Sequence, residues 1–355
     1  MTKRVLVAMS GGVDSSVAAA LLKEQGYQVA GATIQLWPDA GRESACSLAA
    51  VEDARRVASS LGIPFFLFNM QKEFQQQVID SFIQEYKFGR TPNPCIQCNR
   101  LIKFGQLLSK AEQLGMDFIA TGHYARIVRE EGRARLLRGR DGEKDQSYFL
   151  YILNQDKLKK ILFPVGAYRK AEIRELAKAY HLNIADKPDS QEICFIPDNN
   201  YKEFLIRQGG LPKIPGDIVD TKGNVIGSHQ GVFNYTIGQR RGLGVARGVP
   251  LYVVDINAET NTVVAGSNEE VMCKTFTAAE FNWIAGSSPG DCFRAGVMIR
   301  YNALPQPAVL TVLAQGRVRI EFDQPQRAIA PGQAAVVYAG EEVLGGGKIL
   351  TRVLA

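Results

Sequence analysis

The chain has 355 residues and a formal net charge of +6; 46% of its residues are hydrophobic and 22% are charged. These proportions are typical of a folded globular protein and exclude a disordered chain. A single hydrophobic core stops growing at about 250 to 300 residues, so two or three domains are expected. The sequence has neither a secretory leader nor an apolar run of about 18 residues, which predicts a cytoplasmic protein without a membrane span.

The first 120 residues alternate between β-rich runs and helical patterns. Strands are predicted at 4–9, 28–36, 64–68 and 117–121, and helices at 15–25, 46–61, 74–86 and 103–114. Strands separated by helices of this length favour a parallel sheet with helices on both faces. The predicted fold class is therefore α/β, with a doubly wound sheet at the N-terminus.

Beyond residue 200 the pattern changes to short alternating runs separated by glycine and proline. These runs predict β-hairpins and, from about residue 275, a small β-barrel. The predicted domains are 1–200, 201–274 and 275–355.

Positive charge is concentrated in residues 126–178, the basic block, which holds 14 Lys or Arg and 8 Asp or Glu. Such a surplus predicts either a surface that binds a polyanion such as nucleic acid or an ordinary solvated helical face.

A glycine-containing loop follows the first predicted strand and precedes a helix. This phosphate loop consists of Ser10, Gly11, Gly12, Val13, Asp14 and Ser15. Glycines let backbone amides surround an anion, and a helix start adds free N–H groups and a positive dipole end. The loop lacks the lysine of GxxxxGK[ST], which argues against a kinase or motor ATPase. Taken alone, SGG is equally consistent with a tight turn that binds nothing.

Six cysteines occur, at positions 46, 95, 98, 194, 273 and 292. Structural disulfides are rare in the predicted compartment, and three histidines with a single CxxC disfavour a structural zinc site. Cys95 and Cys98 follow Pro94 at a helix start, where a thiol pKa is expected to be lowered, although two packing residues are the simpler alternative. Cys194 lies between Pro188 and Pro197, which predict a mobile loop.

Six segments occur in the order seen in the tRNA-specific 2-thiouridylases, a family of PP-loop ATP pyrophosphatases, and the sequence resembles that family over essentially its whole length. They are SGGVDS (10–15), TPNPCIQCNRLIKF (91–104), ATGHYAR (120–126), DQSYFL (145–150), DSQEICFIP (189–197) and HQGVFNYTIGQRRGL (229–243). Segment 163–177 is similar to a further stretch found in the superfamily. The resemblance implies a PP-loop domain, a small central domain and a C-terminal β-barrel.

The resemblance also implies site residues. ATP, used with Mg²⁺, would be bound by Ala8, Met9, Ser10, Gly11, Gly12, Val13, Asp14, Ser15, Ile34 and Gly122. Transfer RNA would be contacted by Asn93, Pro94, Cys95, His123, Lys144, Asp145, Gln146, Arg300, Tyr301 and Gln333, with Gln239, Arg240 and Arg241 also suited to RNA. The implied substrates are tRNAs with anticodons of the Lys, Glu and Gln type, and a donor protein carrying a persulfide would supply the sulfur.

The implied reaction replaces the C2 oxygen of the wobble uridine by sulfur after ATP has adenylated that oxygen. By resemblance, Cys194 carries the persulfide sulfur and Cys98 attacks the Cys194 sulfur, which leaves a disulfide. A second interpretation makes Cys95, Cys98 and Cys194 ligands of a [4Fe–4S] cluster whose open iron carries the sulfur. Some family members have aspartate in place of Cys95, so its role stays open.

Two other classes of function fit parts of the sequence. An amidating ligase on the same PP-loop fold would use the phosphate loop but leave Cys98 and Cys194 without a role. A non-catalytic RNA-binding protein would explain the basic block but leave the phosphate loop unused.

Overall fold

The computed structural model describes residues 2–37, 47–189, 193–196, 198–245 and 248–353. Cys46, at the start of a predicted helix, and Pro197 lie outside these ranges. None of the described helices has the length and apolar composition needed to cross a membrane.

The strands of the described residues are, in chain order, β1 (Arg4–Ala8), β2 (Gln28–Gln35), β3 (Phe65–Asn69), β4 (Phe118–Thr121), β5 (Ala125–Glu130), β6 (Arg133–Arg138), β7 (Ile161–Leu162), β8 (Gly216–Val219), β9 (Val225–His229), β10 (Tyr252–Asn257), β11 (Thr262–Gly266), β12 (Met272–Trp283), β13 (Cys292–Met298), β14 (Gln306–Leu313), β15 (Arg317–Arg327), β16 (Ala334–Ala339) and β17 (Glu342–Val353). The α-helices are α1 (Val13–Glu24), α2 (Leu48–Ser60), α3 (Gln71–Phe74), α4 (Asp80–Lys87), α5 (Pro94–Gln97), α6 (Leu108–Gln113), α7 (Gln155–Leu158), α8 (Lys170–Ala179) and α9 (Tyr201–Arg207). Two π-helical stretches, Gln75–Ile79 and Cys98–Leu107, join α3 to α4 and α5 to α6, and short 3₁₀ turns occupy Ser147–Phe149, Pro164–Ala167 and Val232–Asn234.

The N-terminal part is built on a parallel sheet with strand order β3-β2-β1-β4-β7. Alternate residues of β1 are buried on opposite faces of this sheet. Val5 and Val7 pack with apolar residues of α1, α2 and α8, whereas Leu6 packs with Phe74 and Ile102 on the other face. The predicted doubly wound α/β fold is therefore confirmed.

The order in which strands are added to the sheet reverses at β1. The chain leaves β1 to build β2 and β3 on one side and later returns to place β4 on the other side. In open parallel sheets such a switch point leaves a crevice at the carboxyl ends of the strands, where ligands bind. The phosphate loop follows β1, and Gly122 follows β4, so both lie at this crevice.

The rest of the chain is mostly β-structure. β10-β11-β8-β9 form one small sheet in which β8 and β11 run parallel, and β12-β15-β14-β13-β16-β17 form a barrel that closes by pairing β12 with β17. The β5–β6 hairpin of the N-terminal part joins the barrel through Leu137 and Glu342. The boundaries at residues 200 and 275 stay predictions.

Several helices differ from the sequence prediction, and α7 and α8 are among those that were not predicted. The helix predicted at 103–114 begins at Pro94, a residue type suited to a first helical position. Its π-helical stretch has i to i+5 hydrogen bonds, so the apolar residues there do not follow the spacing of 3.6 that was used for the prediction. The helix α9 was not predicted because its seven residues are too few for a periodic signal.

Candidate active site

The phosphate loop is closed by hydrogen bonds of its own side chains. The Ser10 amide donates to Ser15 Oγ at 3.1 Å, and the Ser15 hydroxyl donates to the Gly12 carbonyl at 3.2 Å. Gly11 has φ of +70°, and a Cβ at this position would lie 2.2 Å from the Ala50 carbonyl oxygen, so only glycine fits. Helix α1 begins directly after Gly12, which directs the amides of its first turn to the crevice.

The other residues implied for ATP lie beside this loop. Gly122 lies so close that a Cβ on it would be 2.6 Å from the Ser15 amide nitrogen. Ala8 ends β1, and Ile34 lies near the end of the neighbouring strand β2. The structure therefore brings these residues to one place, and ATP binding by each of them stays a prediction.

Cations that the sequence analysis missed surround the loop. Lys170 Nζ, only 12% exposed, donates to Asp14 Oδ1 at 2.7 Å and lies 2.8 Å from Asp189 Oδ1. Lys187 Nζ donates to the Gly11 carbonyl at 3.0 Å and to Asp53 at 2.7 Å. The loop itself lacks a lysine, but distant segments supply two.

Only a weak signal for Lys170 existed in the sequence. It lies in segment 163–177, which resembles a stretch of the superfamily, but its spacing from the loop carries no information because 156 residues separate Lys170 from Asp14. Lys187 lies one residue before Pro188 and belongs to no motif quoted above.

Asp14 is fixed from a second side by Tyr124. The Tyr124 hydroxyl donates to Asp14 Oδ1 at 2.7 Å. Burial, followed by the negative charge of Asp14, raises the pKa of Tyr124 far above its ordinary value, so this hydroxyl stays a donor.

The three candidate sulfur-transfer cysteines form a thiol cluster of Cys95, Cys98 and Cys194. Cys98 is 7% exposed, Cys194 is half-buried and Cys95 reaches solvent. Burial raises the pKa of the Cys98 thiol to about 12, against the opposing effect of the Lys103 ammonium. The expected lowering of a thiol pKa at this helix start is therefore wrong for Cys98, because desolvation outweighs the effect of the Lys103 ammonium.

The described residues next to Cys194 pack in the hydrophobic core, and the mobility that the flanking prolines predict stays a prediction. Phe195 is buried, and its ring centroid lies 5.6 Å from that of Phe74, 5.5 Å from Phe82 and 5.2 Å from Phe204. This packing places Cys194 within electrostatic reach of Cys95 and Cys98.

The thiol cluster does not form a metal site. Within the described ranges, which include all three of its cysteines, no group of three or more His, Cys, Asp or Glu side chains is arranged to hold a metal ion. This result concerns a single metal ion, so the [4Fe–4S] interpretation stays an untested alternative to the persulfide route.

His123 and Tyr301 lie near the thiol cluster. His123 Nδ1 is 2.7 Å from Thr121 Oγ1, and its ring packs near Phe104. Burial and then the Lys103 charge hold the pKa of His123 well below its usual value, so the imidazole is neutral. Tyr301 packs on Phe149 with ring centroids 4.5 Å apart, and Cys95 and Lys144 are among the groups that affect its pKa.

The remaining residues implied for tRNA have different surroundings. Asp145 is buried, and its carboxylate accepts hydrogen bonds from the Gly139 amide at 2.9 Å and from Arg138 Nε at 2.8 Å. Gln146 accepts from the Tyr124 amide at 3.0 Å. Asp145 and Gln146 thus bond to the neighbouring backbone and hold their segment in place. Asn93, Pro94 and Gln333 line one cavity between α5 and the barrel. Arg300 is exposed.

Comparisons with known proteins identify the family. Residues 3–198 match the model described as tRNA methyl transferase HUP domain, residues 202–267 the tRNA methyl transferase PRC-barrel domain and residues 273–349 the aminomethyltransferase beta-barrel domain. A tRNA-specific 2-thiouridylase, MnmA, of Carboxydothermus hydrogenoformans is 54% identical over 99% of this chain and 98% of its own length. The chain belongs to the tRNA-specific 2-thiouridylase family. Further 2-thiouridylases, from Lachnoclostridium phytofermentans and Geobacter metallireducens, are 50% and 49% identical over 98% of this chain and 99% and 96% of their own lengths.

The basic block of this 2-thiouridylase family member is largely neutralised within the protein. At least ten of its fourteen cations form salt bridges with carboxylates, namely Arg126, Arg133, Arg135, Arg138, Arg140, Lys144, Lys160, Lys170, Arg174 and Lys178. Arg126 and Arg135, on the β5–β6 hairpin, bind Glu341 and Glu342 of the barrel at 2.9 Å. Net charge along the sequence therefore overstates the positive surface that this block offers to RNA.

The raised thiol pKa gives a first testable result for the family's sulfur chemistry. Because the pKa of Cys98 is about 12, we expect its alkylation by iodoacetamide to be slow at pH 7 and to rise about tenfold per pH unit up to pH 10, as the thiolate fraction grows. Peptide mass spectrometry measures this rate, with the exposed Cys292 as control for reagent access. A Cys98 rate that levels off below pH 9 would contradict the assignment.

Proposed function

We propose that this chain is an ATP-dependent enzyme that thiolates the wobble uridine of tRNA at C2. One juxtaposition carries the proposal. Lys103 lies within electrostatic reach of both Cys98 and His123, and His123 follows Gly122, which touches the phosphate loop. A phosphate-binding loop and a thiol cluster therefore border the same crevice in a member of the 2-thiouridylase family.

In the first half-reaction the uracil O2 attacks the α-phosphorus of ATP, and pyrophosphate leaves. The amides at the start of α1 hold the departing phosphates, and Lys170 and Lys187 add positive charge at this place. Asp14 carries the oxygen ligand type that Mg²⁺ prefers, and a bound Mg²⁺ would neutralise phosphate charge there. Adenylation turns a poor leaving group, the C2 oxygen, into AMP.

In the second half-reaction the terminal sulfur of a Cys194 persulfide attacks C2, and AMP leaves with the former O2. Cys98 then attacks Cys194 Sγ, which breaks the bond to the transferred sulfur and leaves it on C2. The two cysteines are oxidised to a disulfide as the transferred sulfur is reduced, and an external thiol restores them. The proximity of Cys98 and Cys194 supports this route.

The target uridine must leave its stack to reach the crevice, since a base atom can only react when the base is extruded. We assign the neutral His123 and the half-buried Tyr301 to the base and the exposed Arg300 to phosphate. Asn93, Pro94 and Gln333, which line one cavity, are further proposed contacts. The other proposed contacts are the exposed Cys95 and the segment with Lys144, Asp145 and Gln146. We further propose that the substrates are tRNAs with anticodons of the Lys, Glu and Gln type and that a persulfide-carrying protein donates the sulfur. The proposed location is the cytoplasm.

The decisive experiment measures pyrophosphate and 2-thiouridine together. The purified chain is incubated with ATP, a persulfide donor, excess dithiol and unmodified tRNA, and we expect pyrophosphate release only when tRNA is present, with thiolated nucleoside appearing in step. Pyrophosphate release that needs ammonia and no tRNA would indicate an amidating ligase. Tight tRNA binding without pyrophosphate release would indicate an RNA-binding protein.

The proposed phosphate contact of Arg300 is tested by salt dependence. Arg300→Ala should weaken tRNA binding and lower the slope of log affinity against log salt by about one unit or less, because one phosphate contact is lost. Fluorescence titration at several salt concentrations measures the slope. Arg294→Ala is the matched control, since Arg294 is exposed on the same barrel and pairs with Asp323 at 2.5 Å. Equal slopes for both variants and the unmodified chain would remove Arg300 from the interface.

A further inference from the structure

Asp189 has an unusual set of partners. One of its carboxylate oxygens lies 2.8 Å from Lys170 Nζ and accepts from Arg174 at 3.1 Å, and the other accepts from Lys144 Nζ at 2.8 Å. One carboxylate thus receives three cations. Burial pushes the pKa of Asp189 upwards, but the hydrogen bonds from Lys144 and Lys170 outweigh it and hold the pKa below its ordinary value, so the group is ionised.

These cations converge from two separate segments. Lys170 and Arg174 lie on the first turns of α8, whereas Lys144 lies in the turn before the 3₁₀ segment Ser147–Phe149. Asp189 itself comes from the chain beyond α8. A simple structural ion pair needs one cation, whereas three cations here face two carboxylates, Asp14 and Asp189, with Lys170 shared between them. Three cations around one carboxylate are the residue types that bind an anion, and here the bound anion is the Asp189 carboxylate.

The site is continuous with the phosphate loop. The Lys170 ammonium bridges Asp189 and Asp14, and Asp14 is the loop residue that also accepts from Tyr124. Lys144 and Arg174 contact the Asp189 carboxylate at 2.8 Å and 3.1 Å. Phosphates seated on the loop would therefore lie beside Lys170, with Lys144 within electrostatic reach of Asp14 and Arg174 connected through Asp189.

We propose that Asp189 occupies the phosphate-binding cations of the nucleotide-free enzyme, and that the phosphates of ATP and the pyrophosphate product compete with its carboxylate. This inference rests on the proposed function, because it takes the phosphate loop to bind ATP. Asp189 acts through Lys144, Lys170 and Arg174 and is a positioning residue. Its competition weakens the binding of pyrophosphate and so favours release of that product.

The test is the affinity for inorganic pyrophosphate, measured by isothermal titration calorimetry with the full chain. Asp189→Asn keeps the side-chain shape but removes the competing charge. We expect pyrophosphate to bind about tenfold more tightly, since charge-assisted hydrogen bonds from the freed cations then go to the ligand. An affinity that is unchanged or weaker would overturn the proposal, because a purely structural role predicts loss of the site.

Two controls complete the design. Glu175→Gln removes a negative charge from α8 at an exposed position that pairs with Lys178, and it should leave pyrophosphate binding unchanged. If both variants tighten binding equally, general electrostatics explains the effect and the proposal fails. Asp189→Ser, checked by circular dichroism, repeats the test should the asparagine variant unfold. Failure of the unmodified chain to bind pyrophosphate would instead contradict the proposed function.

Discussion

Replacing Cys194 by serine is expected to lower 2-thiouridine formation by about 10³-fold or more, because the residue that carries the sulfur is lost. Cys98→Ser should be almost as inactive but for another reason. It should still accept sulfur on Cys194 yet fail to release it, since the thiol that attacks Cys194 Sγ is missing. Intact-protein mass spectrometry after incubation with a persulfide donor distinguishes the two variants.

The Cys95→Ser variant distinguishes the persulfide mechanism from one in which three cysteine thiolates bind a [4Fe–4S] cluster. The persulfide route needs two thiols, so this variant should keep activity within about tenfold of the unmodified chain, whereas a cluster would lose a ligand. Cys292→Ser, on the barrel and exposed, is the control for a harmless cysteine change. Equal inactivity of all three thiol-cluster variants, with iron content following activity, would contradict the persulfide mechanism.

Gly122→Ala is expected to reduce ATP-dependent thiolation by about 100-fold or more while tRNA affinity stays within a few fold. The new methyl group would lie 2.6 Å from the Ser15 amide nitrogen and 2.8 Å from the Asp14 carbonyl carbon, so the phosphate loop must shift. A displacement of about 1 Å at a catalytic loop has effects of this size. Pyrophosphate release and tRNA binding are measured on the same preparation.

Gly290→Ala is the matched control for this change. Among the described residues, none apart from Gly290 and its two chain neighbours has a heavy atom within 4 Å of the position that a Cβ on Gly290 would occupy, so activity should be unchanged. Thiolation by the Gly122→Ala variant at the unmodified rate would show that the loop is not the site of adenylation. Loss of tRNA binding in that variant would show that the change acts on RNA rather than on ATP.

The fold could be predicted from the sequence where burial follows a simple period. The apolar run of β1 and the helical spacing of apolar residues in α1 both gave the correct elements, although α1 is buried at every position from 15 to 22, and their alternation gave the parallel sheet. The start of the helix at Pro94 was missed because the π-helical stretch Cys98–Leu107 changes the period.

The site was predictable only where its parts share a short motif. The phosphate loop could be recognised from SGGVDS, but Lys170 and Asp189 reach it through tertiary packing that no local spacing encodes. The thiol pKa was predicted with the wrong sign for the same reason. A helix start is visible in the sequence, whereas the burial of Cys98 depends on residues from other parts of the chain.

The attachment of the β5–β6 hairpin to the barrel affects whether the barrel can be exchanged between related proteins. The hairpin continues the barrel sheet at Leu137 and Glu342, and Tyr148 beyond it donates from its buried hydroxyl to the Ala334 carbonyl at 2.9 Å. The N-terminal part and the barrel are therefore held together by sheet pairing and a buried hydrogen bond, and not only by the connecting chain. Exchanging the barrel for that of a distant relative would remove the partner of β6, so we expect such a chimaera to unfold at a lower temperature than the unmodified chain.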